Sequence, residues 1–544
     1  MPTLRRIIRF SVVVVVLVVL GLLGVRWLES EVRKRSERIV AQAAGPGSRI
    51  RIDEVGLDLL KGDIRWTGVN IEQSGADQRD IHQDRSSWFS GRVDMVEVRG
   101  LSYWQLIFRG KLSMRSLNIF SPDIELEANN DTTASSDPTS GAMEISSFSA
   151  DSVVVHAGVF HMRHYAADTM ILAIDTVELS AMDIRANWGK IRQFDLRLAS
   201  STAELRGIHA TLSPLYDLQA VEVELFNGGR TLRLTNVDLK PLKGPQEYHQ
   251  VVSFESDLFD VHLDTAMVEG LDLTAMVNAR TFASTAMRIV GADLNIYRDK
   301  TMPDGPFRSK PLPARMLREL PFLVCMEHLE VDSSNVYYHE KDTNSPDFGE
   351  VSFTNIHGVV EGLCTIDTLS MDTMVLLASA DGLGEAHITL QLRTVIADRS
   401  DRFTANGMIS AMSFNAFNTM TGDLILARAT AGTIGGMDLT MTADEDRATG
   451  RVDMEYDGLS LELLKQDGSG GRRKFLSSLM NQVVRSRNLR SAPDFRHGDF
   501  DFERRKDRSV FNYLWSGLRE GMIITALPGA LEDLRQFEKD SRKD

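Results

Sequence analysis

At about 150 residues per domain, 544 residues make three or four domains or one extended repetitive body. Apolar residues at 43%, charged residues at 25%, 15 prolines and 40 glycines exclude a disordered or collagen-like chain, and two cysteines exclude a disulfide framework or a multi-cysteine metal site. The formal charge of −15 argues against a nucleic-acid partner, which needs a dominant basic face.

The first predicted element is a membrane anchor. Phe10 to Val25 is uncharged and passes through Val16 and Leu20; counted from Ile7 to Leu28 the run reaches about 22 residues, enough for one helix across a bilayer. The small-x-small triplet Ala41-Gln42-Ala43 has the form of a signal-peptidase site, but it lies beyond the charged stretch Glu29 to Arg38, so the run reads as an uncleaved anchor. Arg5, Arg6 and Arg9 put the N-terminus in the cytoplasm and the rest of the chain outside, although Arg33, Lys34, Arg35 and Arg38 weaken the contrast. No later window approaches 18 apolar residues, so a single span is expected.

From Ser48 the dominant pattern has period two. Ile50, Ile52, Val55 and Leu57 alternate with polar residues, Gly62-Asp63 breaks the chain, and Ile64, Trp66, Val69 and Ile71 resume, as in a hairpin. Similar stretches include Val93 to Val98, Leu112 to Ile119, Val153 to Val155, Val177 to Leu179, Leu232 to Leu239, Leu271 to Leu273 and Met287 to Ile296. They continue through Leu329 to Val336, Val351 to Phe353, His387 to Leu392, Phe403 to Met408 and Met437 to Met441. The fold class expected is mainly β, a largely antiparallel sheet with short helices at Ser102–Arg109, Pro313–Leu320 and Gly471–Arg487. Breaks at Asn129–Gly141, at the four prolines of Asp299–Pro313 and at Asp467–Gly471 divide the chain into an anchor (1–46), a first β unit (47–128), a linker or exposed loop (129–145), a central β region (146–300), a second β region (301–466) and a helical, basic end (467–544). No strict sequence period recurs, so any repeat is one of structure.

Little in the chain points to catalysis. On a strand, the spacing of His161 and His164 sends them to opposite faces, so with His156 they read as isolated histidines and not metal ligands. Gly382-Leu383-Gly384 continues as Glu-Ala-His in place of a dinucleotide fingerprint, and Gly468-Ser469-Gly470 lacks the spacing of a nucleophile elbow. No catalytic residue, cofactor or metal is expected. Cys325 and Cys364 would be able to pair after export, though two separate buried thiols are the favoured reading, since sequence cannot place their Cβ atoms. The 23 methionines suit either core gap-filling or a surface for variable apolar ligands.

At the C-terminal end Arg472–Arg508 holds eleven Lys and Arg against five Asp and Glu, a solvated face or a contact for anionic headgroups. Phe511, Leu514, Trp515 and Leu518 follow at helical spacing, then Met522, Ile523 and Ile524. This segment either closes the open end of the sheet or meets a membrane or envelope partner through Leu514, Trp515, Leu518 and Ile523.

Three blocks carry a family resemblance. Val93–Val98, the short helix at Tyr103–Ile107, Lys111–Ile119 and Pro122-Asp123-Ile124-Glu125-Leu126 resemble the strand, helix, strand and P-x-I-x-L unit of AsmA-like proteins. Leu312–Phe322 with Met326–Val331 and Val336–Glu340 is similar to a second block of that group, and Phe502–Arg505 with Phe511–Trp515 and Gly521-Met522 to its C-terminal block. The resemblance implies a bacterial inner-membrane protein with a periplasmic body, related to bridge-like lipid transfer proteins. It implies an elongated, curved, groove-like sheet with an apolar concave face, phospholipid and envelope proteins as partners, and a role in lipid transport and outer-membrane biogenesis. A structural scaffold that modulates outer-membrane protein assembly through protein contacts is the alternative.

Overall fold

The computed structural model describes residues 48–58, 60–73, 87–128, 147–164, 169–188, 194–213, 215–341, 348–366, 372–382, 386–417, 427–463 and 484–526. The anchor run with Phe10, Val16, Leu20 and Val25, the linker 129–145, the joint at 467–471 and the helix expected from Gly471 as far as residue 483 lie outside the described residues. Among the described residues no helix is long and apolar enough to cross a membrane.

The fold is mainly β and mostly antiparallel, in two compact units. The first holds the described residues up to Leu212 together with Gln219–Gly229; the second holds Ser213–Leu218 and everything from Arg230. The division falls inside the stretch read from sequence as one central region. In the first unit β1 (Ser48–Asp58), β2 (Asp63–Gln73), β3 (Ser87–Arg99) and β4 (Lys111–Ala128) pair in turn as antiparallel neighbours, with helix α1 (Tyr103–Arg109) between β3 and β4. β4 then pairs in parallel with β5 (Ser147–His164), and β6 (Thr169–Trp188) continues antiparallel to β7 (Phe194–Arg197) and β8 (Ser200–Ser213); β9 spans Tyr216–Phe226.

The second unit begins the same way. β10 (Thr231–Pro241) and β11 (Asp257–Glu269) are antiparallel, helix α2 (Leu273–Ala279) leads into β12 (Thr281–Asp299), and β12 pairs in parallel with β13 (Leu323–Lys341) after helix α3 (Pro313–Arg318). β14 (Gly349–Cys364), β15 (Thr373–Gly382), β16 (Ala386–Val395) and β17 (Phe403–Ile409) follow as antiparallel neighbours. β19 (Ala427–Ala443) lies against β17 and the short β18 (Met412–Ser413), then come β20 (Arg447–Leu463), β21 (Gly498–Glu503) and helix α4 (Val510–Ala526).

The two openings are copies of one module, displaced by 168 residues at the first turn and strand, Gly62 corresponding to Arg230, and by 170 at the helix, Tyr103 corresponding to Leu273. The Leu101 N–H donates to Gly62 O at 2.8 Å and the Leu271 N–H to Arg230 O at 2.9 Å; Ser102 N–H donates to Ser113 O at 2.9 Å and Asp272 N–H to Ala283 O at 3.0 Å. Both helices have seven residues and end on a left-handed residue, Gly110 and Arg280. Few identities survive, among them Val98-x-Gly100-Leu101 against Val268-x-Gly270-Leu271, which is why no sequence period shows. Leu271–Leu273, read from sequence as strand, is the entry to α2. The Asp272 carboxylate accepts the Ala275 N–H at 2.8 Å, so a side-chain cap overrides the local alternation.

Candidate functional site

Registers decide which side chains share a face, because directly opposed residues project to the same side. In the first unit Trp66, Val96, Ile119, Val155, Leu179 and Ala203 form one cross-strand row through β2, β3, β4, β5, β6 and β8. Ile64, Val98, Leu117, Val153 and Ala181 form the next. Ile71, Ile124, Phe160, Ile174 and Ile208 lie on the same face further along. Strict alternation would not put Ile119 and Ile124 on one side, five residues apart. A left-handed residue between them, Ser121, inserts a bulge, and Ala157 in β5 does the same between Val155 and Phe160. Trp66, Ile119 and Ile124 accordingly pack in one cluster with Val69, Ile71 and Val93.

The second unit repeats the device. Asn236, Gly291, Ser333 and Asn355 are left-handed in β10, β12, β13 and β14, so Ile289 and Leu294, and Val331 and Val336, share a face. At Gly291 a Cβ would come within 2.0 Å of the Asp264 carboxylate, so this bulge requires glycine. Bulges repeated across adjacent strands bend each strand at a similar level.

One row crosses the entire second unit: Leu232, Val268, Met287, Leu329, Val360, Leu376, Leu392, Ala405, Met441 and Phe500, with Gly450 before the last. From Leu392 onward its apolar members are buried, whereas Met287, Leu329, Val360 and Leu376 are only partly so. In the first unit the same partial burial holds for Trp66, Val96, Ile119 and Val155, and Leu179 is 39% exposed. Helix α1 packs its Leu106 over Ile64 and Val98, and Val268 is buried, whereas the stretches named here stay only partly covered.

The opposite face is polar and internally neutralised. In the first unit Arg65 and Arg99 hold the two oxygens of Glu97 at 2.8 and 2.9 Å, and Arg163 pairs with Glu125 at 2.7 Å. The Arg65 hydrogen bond is the main reason that the Glu97 carboxyl titrates below its ordinary range. Arg65, Glu97 and Arg99 line a shallow depression of about 660 Å³ together with Asp63 and Arg115. In the second unit Arg288 pairs with Asp332 at 3.0 Å, and His262 lies 3.1 Å from both Asp238 and Asp264, whose hydrogen bonds raise its pKa. Of the three histidines weighed as ligands, His156 stacks on Phe120 and stands 3.8 Å from Glu178, His161 lies opposite Glu125, and the His164 side chain is outside the described set. Among the described residues no three metal-ligating side chains converge.

Helix α4 closes the last strands of the second unit. Its Leu518 and Ile523 are buried in the main core, and Leu514 and Trp515 pack against that core partly exposed. The helix sits directly on the sheet: a Cβ at Gly521 would come within 2.4 Å of Val452, and one at Gly498 within 2.2 Å of Gly521 O. In the described part of the basic stretch, from residue 484, several cations are paired with acidic partners. Arg485 pairs with Asp494, Arg490 with Asp438, Arg504 with Glu445 and Lys506 with Asp446. Burial pushes the Tyr456 hydroxyl beneath the helix up to about 12.

Cys325 and Cys364 face each other across β13 and β14 and are joined in a disulfide, against the expectation of separate thiols. The register decides this, and the spacing of the two cysteines does not reveal it. The bulges were equally hidden, although two apolar residues five apart around a Ser-Pro or Gly-Ala step are their trace in sequence. No protein-family model matches the chain, and no curated protein matches it significantly.

Proposed function

We propose that the chain is a non-enzymatic cell-envelope protein that binds phospholipid acyl chains on the apolar faces of its sheets, as part of lipid transfer across the periplasm and outer-membrane biogenesis. The observation that carries this reading is the row from Met287 to Leu376, apolar strand after strand and only partly buried, backed by a polar face that satisfies its own charges. Apolar area left in water costs about 25 cal/mol per Å², and acyl chains shield it as well as a second sheet does. The repeated bulges support a sheet bent into an elongated groove. The Cys325–Cys364 pair suits an oxidising compartment, in keeping with an inner-membrane anchor at Phe10–Val25 and a periplasmic body. The AsmA-like blocks point the same way.

The test is face-specific. A photo-crosslinking benzoylphenylalanine is introduced in cells at Leu329 or Val153, on the apolar face, and at Glu330 or Asn118, on the polar one. Phospholipid adducts are expected at the first pair and not at the second. Adducts on neither face, or equally on both, sink the lipid reading and leave a scaffold that acts through protein contacts.

A further inference from the structure

We infer that helix α1 and the β1–β2 turn of the first unit form a patch that seats on a lipid bilayer carrying anionic headgroups. In α1 the helical period separates two sides. Leu106, 2% exposed, packs in the cluster of Ile64 and Val98, while Trp104 and Phe108, one turn apart, point away from it with 65% and 60% of their surface exposed and ring centroids 4.1 Å apart. The hydrogen bond from Leu101 N–H to Gly62 O holds the β1–β2 turn beside the start of this helix, and that turn carries Leu60, 95% exposed. Arg109 closes the helix and Lys111 opens β4; neither has an ion-pair partner among the described residues. Lys61, beside Leu60, is already paired with Asp58 at 3.1 Å.

The second module shows that the fold does not require these side chains. Thr274 and Asn278 stand where the first module has Trp104 and Phe108, Ala279 and Thr281 where it has Arg109 and Lys111, and the helix keeps its seven residues. The turn ahead of β10 has Gly228 at the place of Leu60. The second helix exposes Met276 and Val277, but no aromatic ring. Exposed aromatics beside free cations match the chemistry of a membrane interface, where indole rings sit at headgroup level and basic side chains face phosphate. The contact stands independently of what the sheet faces bind.

Because the two native cysteines are joined, Leu60→Cys gives the full chain a single free thiol for an environment-sensitive nitrobenzoxadiazole label. The labelled chain is held in a nanodisc, and acyl chains bearing a nitroxide quencher are placed either in the disc or in separate vesicles of phosphatidylcholine and phosphatidylglycerol. Quenching with a blue shift is expected in at least one arrangement. It is lost in the Trp104→Thr/Phe108→Asn background, which installs the residues tolerated by the second module. With phosphatidylcholine alone the contact weakens about fivefold for each of the two cations, and Arg109→Ser/Lys111→Ser removes that dependence. A label at Asn278→Cys is not quenched. Quenching at position 60 no greater than at 278 in both arrangements, or unchanged by the aromatic replacements, overturns the inference.

Discussion

Met287 and Met441 belong to the same cross-strand row of the second unit, yet only Met441 is buried. Between them the strands keep their pairing and the row keeps its apolar residues; what changes is the cover. Over β19, β20 and β21 lies α4, brought close by Gly517 and Gly521. Its Tyr513 packs edge-on to Phe403 and Phe502, and in the same core Phe414 packs edge-on to Tyr456. Over β13 to β15 no described helix makes comparable contact, β12 meets only the seven-residue α2, and the cross-strand disulfide joins β13 to β14. Apolar alternation therefore specifies that a face must be shielded, and the shield is a separate element of the chain at one end and is missing from the described chain at the other.

The largest effect should come from removing that shield. Leu518→Ser with Ile523→Ser exchanges two buried side chains for polar ones, at about 3 kcal/mol or more each, and should unfold the α4-covered end, read as a lost cooperative transition in thermal melting. A melt within a few degrees of the parent would mean that α4 is not what closes this core. Second in size is the staple of the uncovered strands. The cysteines are separated by 39 residues, and Cys325→Ser/Cys364→Ser should cost up to about 4 kcal/mol by the chain-entropy account, measured by denaturant titration under non-reducing conditions. No loss would show that β13 and β14 rely on pairing alone.

The sharpest test of the comparison is also the smallest. Met441→Ala should cost about 2–4 kcal/mol, while Met287→Ala, at a site only partly buried, should cost clearly less, about 1 kcal/mol. Equal losses at the two positions would mean that β12 is covered after all.

Sequence alone determined that this is a strand-rich chain, because period-two alternation survives wherever one face is apolar, as at Ile64, Trp66 and Val69. It also determined the helices at Tyr103–Arg109 and Pro313–Arg318 and the helical character of α4, whose Phe511, Leu514, Trp515 and Leu518 recur at helical spacing. These features are local, set by neighbours within a turn or two. Tertiary structure decided everything that depends on which strand lies beside which. The parallel pairs β4–β5 and β12–β13 join strands whose own patterns carry no direction, and they keep step through the left-handed residues Ser121 and Ser333, whose change of face shows only once the backbone is placed. The Cys325–Cys364 bond follows from a register, and the duplication at a shift of 168 to 170 residues is preserved in hydrogen bonds made by backbone atoms, which side-chain identity does not encode. Whether an apolar row becomes core or open surface is likewise not written in the row. Leu329 and Leu392 are the same residue on the same face, and what distinguishes the buried one is cover from distant parts of the chain: helix α3 lies against β16, and Leu392 shares one core cluster with Leu312 and with residues of α4.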